Sequence, residues 1–311
     1  MPFYFLKMGT PTYHERQNRA QTAVIRYAQL SLLLGSEQNL AKLAKAIVQK
    51  SLKTSPVTMW NKIEGYKTLL GVLFSFLLSE RIYRTIIEAI DPYETIQYRR
   101  FDKKPENLDE AIIIAMAKEM RNRRIGAGVS VAEIGGNVTC TVMEALGAHT
   151  AFTDAGYRGS KVPFTLWQKA SDFLSSRDDL VTLDHYTHKF SRTYDFTISN
   201  RVLDPGSGAE AVAEGEGGSP ITAGAMELLA IYANITKNGG YSIHGGLTVD
   251  IANAFLDYLG FDIVHKIGSG RESVTILAKR ECKSDRYANG VRIGYKTILY
   301  NPETHAFALK K

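Results

Sequence analysis

Polar and small residues gather at a few points of the chain where apolar runs end. The stretch VAEIGGNVT, residues 131–139, places Glu133, Gly135, Gly136 and Asn137 at the close of one such run, just before a helix-like segment. Glycine has no side chain and lets a ligand approach the backbone. An acid followed by a glycine turn between strand and helix is how a nucleotide-type ligand is met at the first strand of an α/β sheet. The same pattern also reads as an ordinary strand-to-helix corner. Asp154 and Asp184 end two further runs. A carboxylate there can accept hydrogen bonds from two hydroxyls or cap the next helix. Asn200, Arg201 and Asp204 follow another run; Asp204 can orient or deprotonate an acceptor, or simply begin the turn at Asp204-Pro205-Gly206. His244 ends a fifth run, where an imidazole can act as a base. Asp184, His185 and His188 suggest a metal site, but no additional ligands at helical spacing accompany them, and no metal is expected.

These residues need a scaffold, and the spacing of apolar residues supplies one. Short β-rich runs at Val129 to Ile134, His149 to Asp154, Leu180 to Leu183, Tyr194 to Ser199 and Gly240 to His244 alternate with helical stretches at about 139–146, 163–175, 222–237 and 249–259. Such alternation implies a parallel sheet covered on both faces. The runs Phe261 to Ile267 and Ser273 to Arg280 are joined by only Gly268 to Glu272. A parallel crossover needs about a dozen residues, so this pair must form an antiparallel hairpin at or near the sheet edge. VRIGYKTILY and HAFALKK suggest a second hairpin, structural or an oligomer contact.

Residues 1–125 read as a helical N-terminal region, with helices expected over 16–34, 37–52, 57–90 with one break, and 108–124, the last capped by Asn107 with Glu110 three residues on. Residues 126–311 then form the α/β part with its C-terminal hairpin extension. The region 1–125 holds 20 Lys and Arg against 12 Asp and Glu, while 126–311 hold 18 against 20. All the excess basicity therefore lies in the helical region, which suits an anionic partner such as RNA or a solvated helix face. Two widely separated cysteines provide no disulfide framework and no zinc ribbon, so a reducing, cytoplasmic setting is expected. No secretory signal is apparent, and the longest apolar run, Leu69 to Leu78, is short of the roughly 20 residues of a membrane span. The segment 204–220 is glycine-rich, acidic and too long for a simple connector, so it reads as a lid or an inert insertion.

Taken in order, these runs resemble the class I (Rossmann-like) S-adenosylmethionine-dependent methyltransferases over residues 129–280. VAEIGGN is similar to that family's first motif, Asp154 stands where its second strand ends in a ribose-binding acid, Asp184 ends the third, YDFTISNRVLD is similar to the fourth motif, and NGGYSIHGG to the fifth strand after its Gly-Gly turn. The family's G-x-G-x-G turn has Asn137 and Thr139 in place of its second and third glycines; Asn tolerates unusual backbone angles, whereas Thr139 narrows the approach. IGGN also resembles viral cap-forming methyltransferases, but the only upstream histidine is His14 and the spacing of Asp154 and Arg158 differs from theirs.

The resemblance implies a Rossmann-like, mostly parallel sheet with a terminal antiparallel hairpin, preceded by an α-helical region. It implies S-adenosylmethionine as cofactor, held by Glu133, Gly135, Gly136, Asn137, Asp154, Asp184 and Asn200, with Asp204 and His244 at the acceptor. The acceptor itself is undefined, with RNA plausible. Two other readings compete. A non-catalytic relative would keep the fold as a scaffold or as an RNA- or protein-binding subunit. A nicotinamide-dependent enzyme would need G-x-G-x-x-G, and the positions from Gly135 hold Gly, Asn and Cys.

Overall fold

The computed structural model describes residues 11–35, 37–49, 63–86, 105–153, 193–203, 235–247, 259–280, 298–301 and 306–309, together with 229, 232, 233, 256 and 257. Helix α1 spans Tyr13–Leu34 and α2 spans Glu37–Gln49. The first begins three residues earlier than its apolar spacing predicts, because Thr12 and Glu15 form a capping box: the Glu15 N–H donates to Thr12 Oγ1 and the Thr12 N–H to the Glu15 carboxylate. Gly35, left-handed at φ 70°, ends it. The long helix expected over 57–90 has two breaks within its described part, a turn at Tyr66 and a non-helical step at Leu78 and Ser79. Residues 63–65 and 80–86 are helical on either side of α3, Lys67–Leu77. Helix α4, Pro105–Asn122, starts at its proline, whose ring-locked φ suits a first helical position. Asn107 therefore lies inside the helix, and its expected role as the cap does not hold.

The sheet contains β1 (Ser130–Ile134), β2 (His149–Thr153), β3 (Tyr194–Asn200), β4 (Thr236–Gly245), β5 (Phe261–Ile267) and β6 (Val274–Lys279), with helix α5 (Val138–Ala145) between β1 and β2. Their order is β2-β1-β3-β4-β6-β5. The first three pairings are parallel, and β6 runs antiparallel to both β4 and β5. The sheet is thus mixed, mostly parallel with an antiparallel C-terminal pair, as the hairpin argument requires. A second pair, β7 (Ile298–Asn301) and β8 (Ala306–Leu309), is antiparallel. The strand expected at 180–183 and the helix at 163–175 lie outside the described residues.

Helix α3 is apolar on all sides because it is buried on all sides, with every residue from Thr68 to Leu77 enclosed. It packs against α1, α2 and β4. Phe76 reaches the sheet, where its ring meets Phe196 edge-on at 5.6 Å and Tyr241 at 4.6 Å. From β4, the Tyr241 hydroxyl donates to the Arg16 carbonyl of α1 (3.0 Å). One hydrophobic core runs from α1 through α3 to the sheet. The change at residue 125 is a change of element type across which that core continues.

At the amino ends of the strands a buried carboxylate ties three of them together. Asp195 Oδ2 accepts from the Ser130 N–H (2.8 Å) and hydroxyl (2.6 Å), and Oδ1 accepts from Lys237 Nζ (2.8 Å). Strand β4 begins at Thr236, earlier than predicted, and its register against β3 slips between Tyr194 and Phe196. That irregularity brings Lys237 over Asp195.

Candidate functional site

The chain leaves β1 to form β2 on one side and returns to form β3 on the other. The carboxyl ends of β1 and β3 therefore flank a topological switch point, the place where open α/β sheets receive ligands. Gly135 follows β1 with φ 79°, a left-handed conformation that glycine adopts without strain. Asn137, expected to carry an unusual turn angle, has φ −139° and ψ 0°. The demand for glycine falls on Gly135, and Asn137 occupies an ordinary negative-φ position at the cap of α5.

The open faces of both glycines are used by the protein itself. A β-carbon at Gly135 would lie 2.5 Å from Val202 Cγ2, and one at Gly136 would lie 2.7 Å from the Tyr66 hydroxyl and 2.9 Å from Glu133 Oε1. Tyr66 comes from the turn before α3 in the helical layer, a neighbour that nothing in the local pattern of residues 131–139 announces. Glu133 is fully buried, and its Oε2 accepts from the Cys140 N–H of α5 (3.0 Å). Its carboxylate thus serves the amino end of that helix, where the dipole favours negative charge. Burial pushes the Cys140 thiol pKa up, with the Glu133 charge adding to the effect, so this thiol is inert packing.

Asn137 is the anomaly of the turn. It is fully buried, yet neither its amide oxygen nor its amide nitrogen has a hydrogen-bond partner. Its backbone carbonyl is used, accepting from the Thr141 N–H and hydroxyl. Thr139, also fully buried, has its hydroxyl in the same condition. Buried polar groups without partners cost about 1–3 kcal/mol each, and this turn concentrates three such atoms.

At the carboxyl end of β3, Asn200 Nδ2 donates to the Gly65 carbonyl (3.2 Å), and its Oδ1 lies against Gly245 of β4. Arg201 follows with φ 60°, rare for a residue with a side chain. The Arg201 N–H donates to the Gly245 carbonyl (2.7 Å), and its guanidinium pairs with Glu272 (2.9 Å).

His244, expected at the acceptor, is enclosed by the protein's own side chains. It is fully buried within the sheet, with Nδ1 2.8 Å from Ser199 Oγ, Nε2 2.9 Å from Ser242 Oγ, and the Tyr232 ring edge-on at 4.6 Å. Desolvation pulls its pKa down to about 3. A neutral imidazole with both nitrogens engaged is a core residue and a weak base. Asp154, Asp184 and Asp204 lie outside the described residues. Glu133, Gly135, Gly136 and Asn137 therefore come together with Tyr66 and Val202, and Asn200 stands across the switch point beside Arg201. Among the described residues, no group of three or more His, Cys, Asp or Glu is placed to hold a metal ion, and no helix is long and apolar enough to cross a membrane.

No protein-family model and no curated protein sequence matches this chain. Solved structures do. The chain is similar in structure to many methyltransferases. One is the ribosomal protein L11 methylase of Lactobacillus delbrueckii subsp. bulgaricus, at 14% identity over 54% of this chain and 78% of that one, with a TM-score of 0.33. Another is magnesium protoporphyrin IX methyltransferase of Synechocystis PCC 6803, solved with bound SAH, at 15% identity over 63% and 99% with a TM-score of 0.33. A third is precorrin-6y C5,15-methyltransferase of Geobacter metallireducens GS-15, at 11% over 52% and 85% with a TM-score of 0.31. Likeness at this level carries no argument about cofactor or acceptor; the fold is defined by the strand order itself.

Proposed function

We propose that this protein is an S-adenosylmethionine-dependent methyltransferase whose cofactor lies at the switch point between β1 and β3. The observation that carries the reading is Asn137, whose buried amide, together with the Thr139 hydroxyl, offers unused donors and acceptors to a polar ligand. When bound, the cofactor supplies an electrophilic methyl group on a sulfonium sulfur. The chain has to position an acceptor opposite that methyl, since in-line transfer depends first on orientation. Asn200, fixed between Gly65 and Gly245, and Arg201 are the groups at the end of β3 that line that side. Asp154 and Asp184 keep their proposed places at the cofactor, and Asp204 its place beside the acceptor. Asp204 rather than His244 is the candidate base.

A second reading has its own observation. Val202 and Tyr66 occupy the faces of Gly135 and Gly136, so the glycines also satisfy purely internal packing, as a non-catalytic scaffold would require. Calorimetric titration of the full chain with S-adenosylmethionine, its demethylated product and NAD separates the readings. Binding of the first two and not NAD is expected. Preference for NAD overturns the assignment, and binding of none transfers it to the scaffold. Asn137→Leu sharpens the test: replacing an unsatisfied buried amide by an apolar group of similar shape should raise the Tm of the ligand-free protein while shrinking the Tm increase that S-adenosylmethionine produces. An undiminished increase would remove Asn137 from the site.

A further inference from the structure

Arg201 combines three features that a solvated surface cation does not need together. It is the first residue beyond β3 at the switch point, and Val202, its neighbour, packs on Gly135. Its backbone is at φ 60°, a left-handed region that residues with side chains rarely adopt, and its N–H donates to the Gly245 carbonyl. Its guanidinium is 45% exposed and meets a carboxylate that is itself 63% exposed, Glu272 at the end of the short 3-10 turn Gly270–Glu272 between β5 and β6. A strained residue persists where the surroundings over-determine it, and such residues cluster at sites that bind. A planar guanidinium matches the oxygens of carboxylate and phosphate alike.

We propose that Arg201 is an oxyanion-binding residue on the acceptor side of the switch point, and that Glu272 is an intramolecular stand-in which a carboxylate or phosphate group of the acceptor displaces. The acceptor class is then an anionic molecule carrying such a group. The link to an acceptor rests on the methyltransferase reading, but the anion site itself does not, because it can be measured with no cofactor present.

The experiment adds inorganic phosphate or succinate to the full chain and follows, by NMR, the backbone amides of residues 200–203 and 245–247 in the wild type, Arg201→Lys, Arg201→Gln and Glu272→Gln, together with the Arg201 Nε–Hε resonance in the two proteins that keep the arginine. Saturable binding is expected in the wild type. Glu272→Gln should tighten it by up to about fivefold, the most that loss of an exposed competing ion pair provides. Arg201→Lys should weaken it, and Arg201→Gln should abolish it. The stronger of the two anions identifies the group on the acceptor. A structural role for the pair predicts the opposite pattern, with both Gln variants lowering the Tm equally and neither changing the response to anions. Equal response in all four proteins, or weaker binding in Glu272→Gln, overturns the proposal. The Tm increase with S-adenosylmethionine in Arg201→Gln keeps the two readings apart. If that increase is absent in the wild type as well, the methyltransferase reading fails while the anion site stands or falls on its own titration.

Discussion

At the scale of single residues, burial decides what a titratable group does. His244 sits where a strand-end base would be sought, yet desolvation holds its folded-state pKa at about 3, below the ordinary histidine value of 6.5. The unfolded chain binds a proton at this residue below pH 6.5 and the folded chain does not. The stability His244 contributes is therefore full above pH 6.5 and lost as pH falls from 6.5 towards 3. The loss should approach about 1.4 kcal/mol per pH unit in that window. Urea unfolding at pH 7.5, 6.0 and 5.0 reads the slope, and His244→Gln, which cannot titrate, should flatten it. An unchanged slope in the variant would mean that other groups set the acid sensitivity. Asn137 and Glu133 make the complementary case. Both are polar and fully buried at one turn, but the Glu133 carboxylate accepts from the Cys140 N–H while neither atom of the Asn137 amide has a hydrogen-bond partner.

At the scale of elements, the two ends of the parallel strands divide the labour. The carboxyl ends hold the glycine turn, Asn200 and Arg201, while the amino ends are closed by Asp195, Ser130 and Lys237. Asp195 is almost wholly buried and Lys237 is partly exposed, so the serine hydrogen bonds matter more than the ion pair. Asp195→Ala should cost about 2–3 kcal/mol, chiefly by leaving the Ser130 N–H and hydroxyl without their charged acceptor. Chemical denaturation measures it. A cost below about 0.5 kcal/mol would show that the β1–β3 pairing does not depend on this carboxylate. If the wild type binds the proposed cofactor, the folded variant should retain that affinity, because the cluster lies at the far ends of the strands.

At the scale of the whole molecule, the helical layer is part of the same core as the sheet. Helix α3 buries its entire circumference between them, and the turn before it delivers Tyr66 to Gly136 and the Gly65 carbonyl to Asn200. The net positive charge of residues 1–125 should therefore be tested in the full chain. If that charge serves RNA, binding of a generic single-stranded RNA should fall steeply with salt through counterion release. Substituting Lys118 and Arg121 of α4 by Gln should then lower the slope of log affinity against log salt by about one for each phosphate that the variant no longer neutralises. Absence of binding by the wild type at low salt would leave the cations as a solvated face.

Over much of the described chain, the sequence by itself determined the kind of elements and their order. Parallel strands buried on both faces read as short apolar runs, and a five-residue link between two such runs permits only an antiparallel hairpin, so the mixed sheet was legible before any coordinates. The acid–glycine turn after β1 was legible too. What only the tertiary structure decided is what covers each residue. Local periodicity records that α3 is apolar, but not that it lies between α1, α2 and β4. A histidine ending a strand looks the same whether it meets solvent or, as here, Ser199, Ser242 and Tyr232. Gly135 and Gly136 look like room for a ligand until Val202 and Tyr66, each more than 60 positions away in the chain, are seen against them. Such neighbours depend on how distant segments pack, and the spacing of residues along the chain carries no record of them.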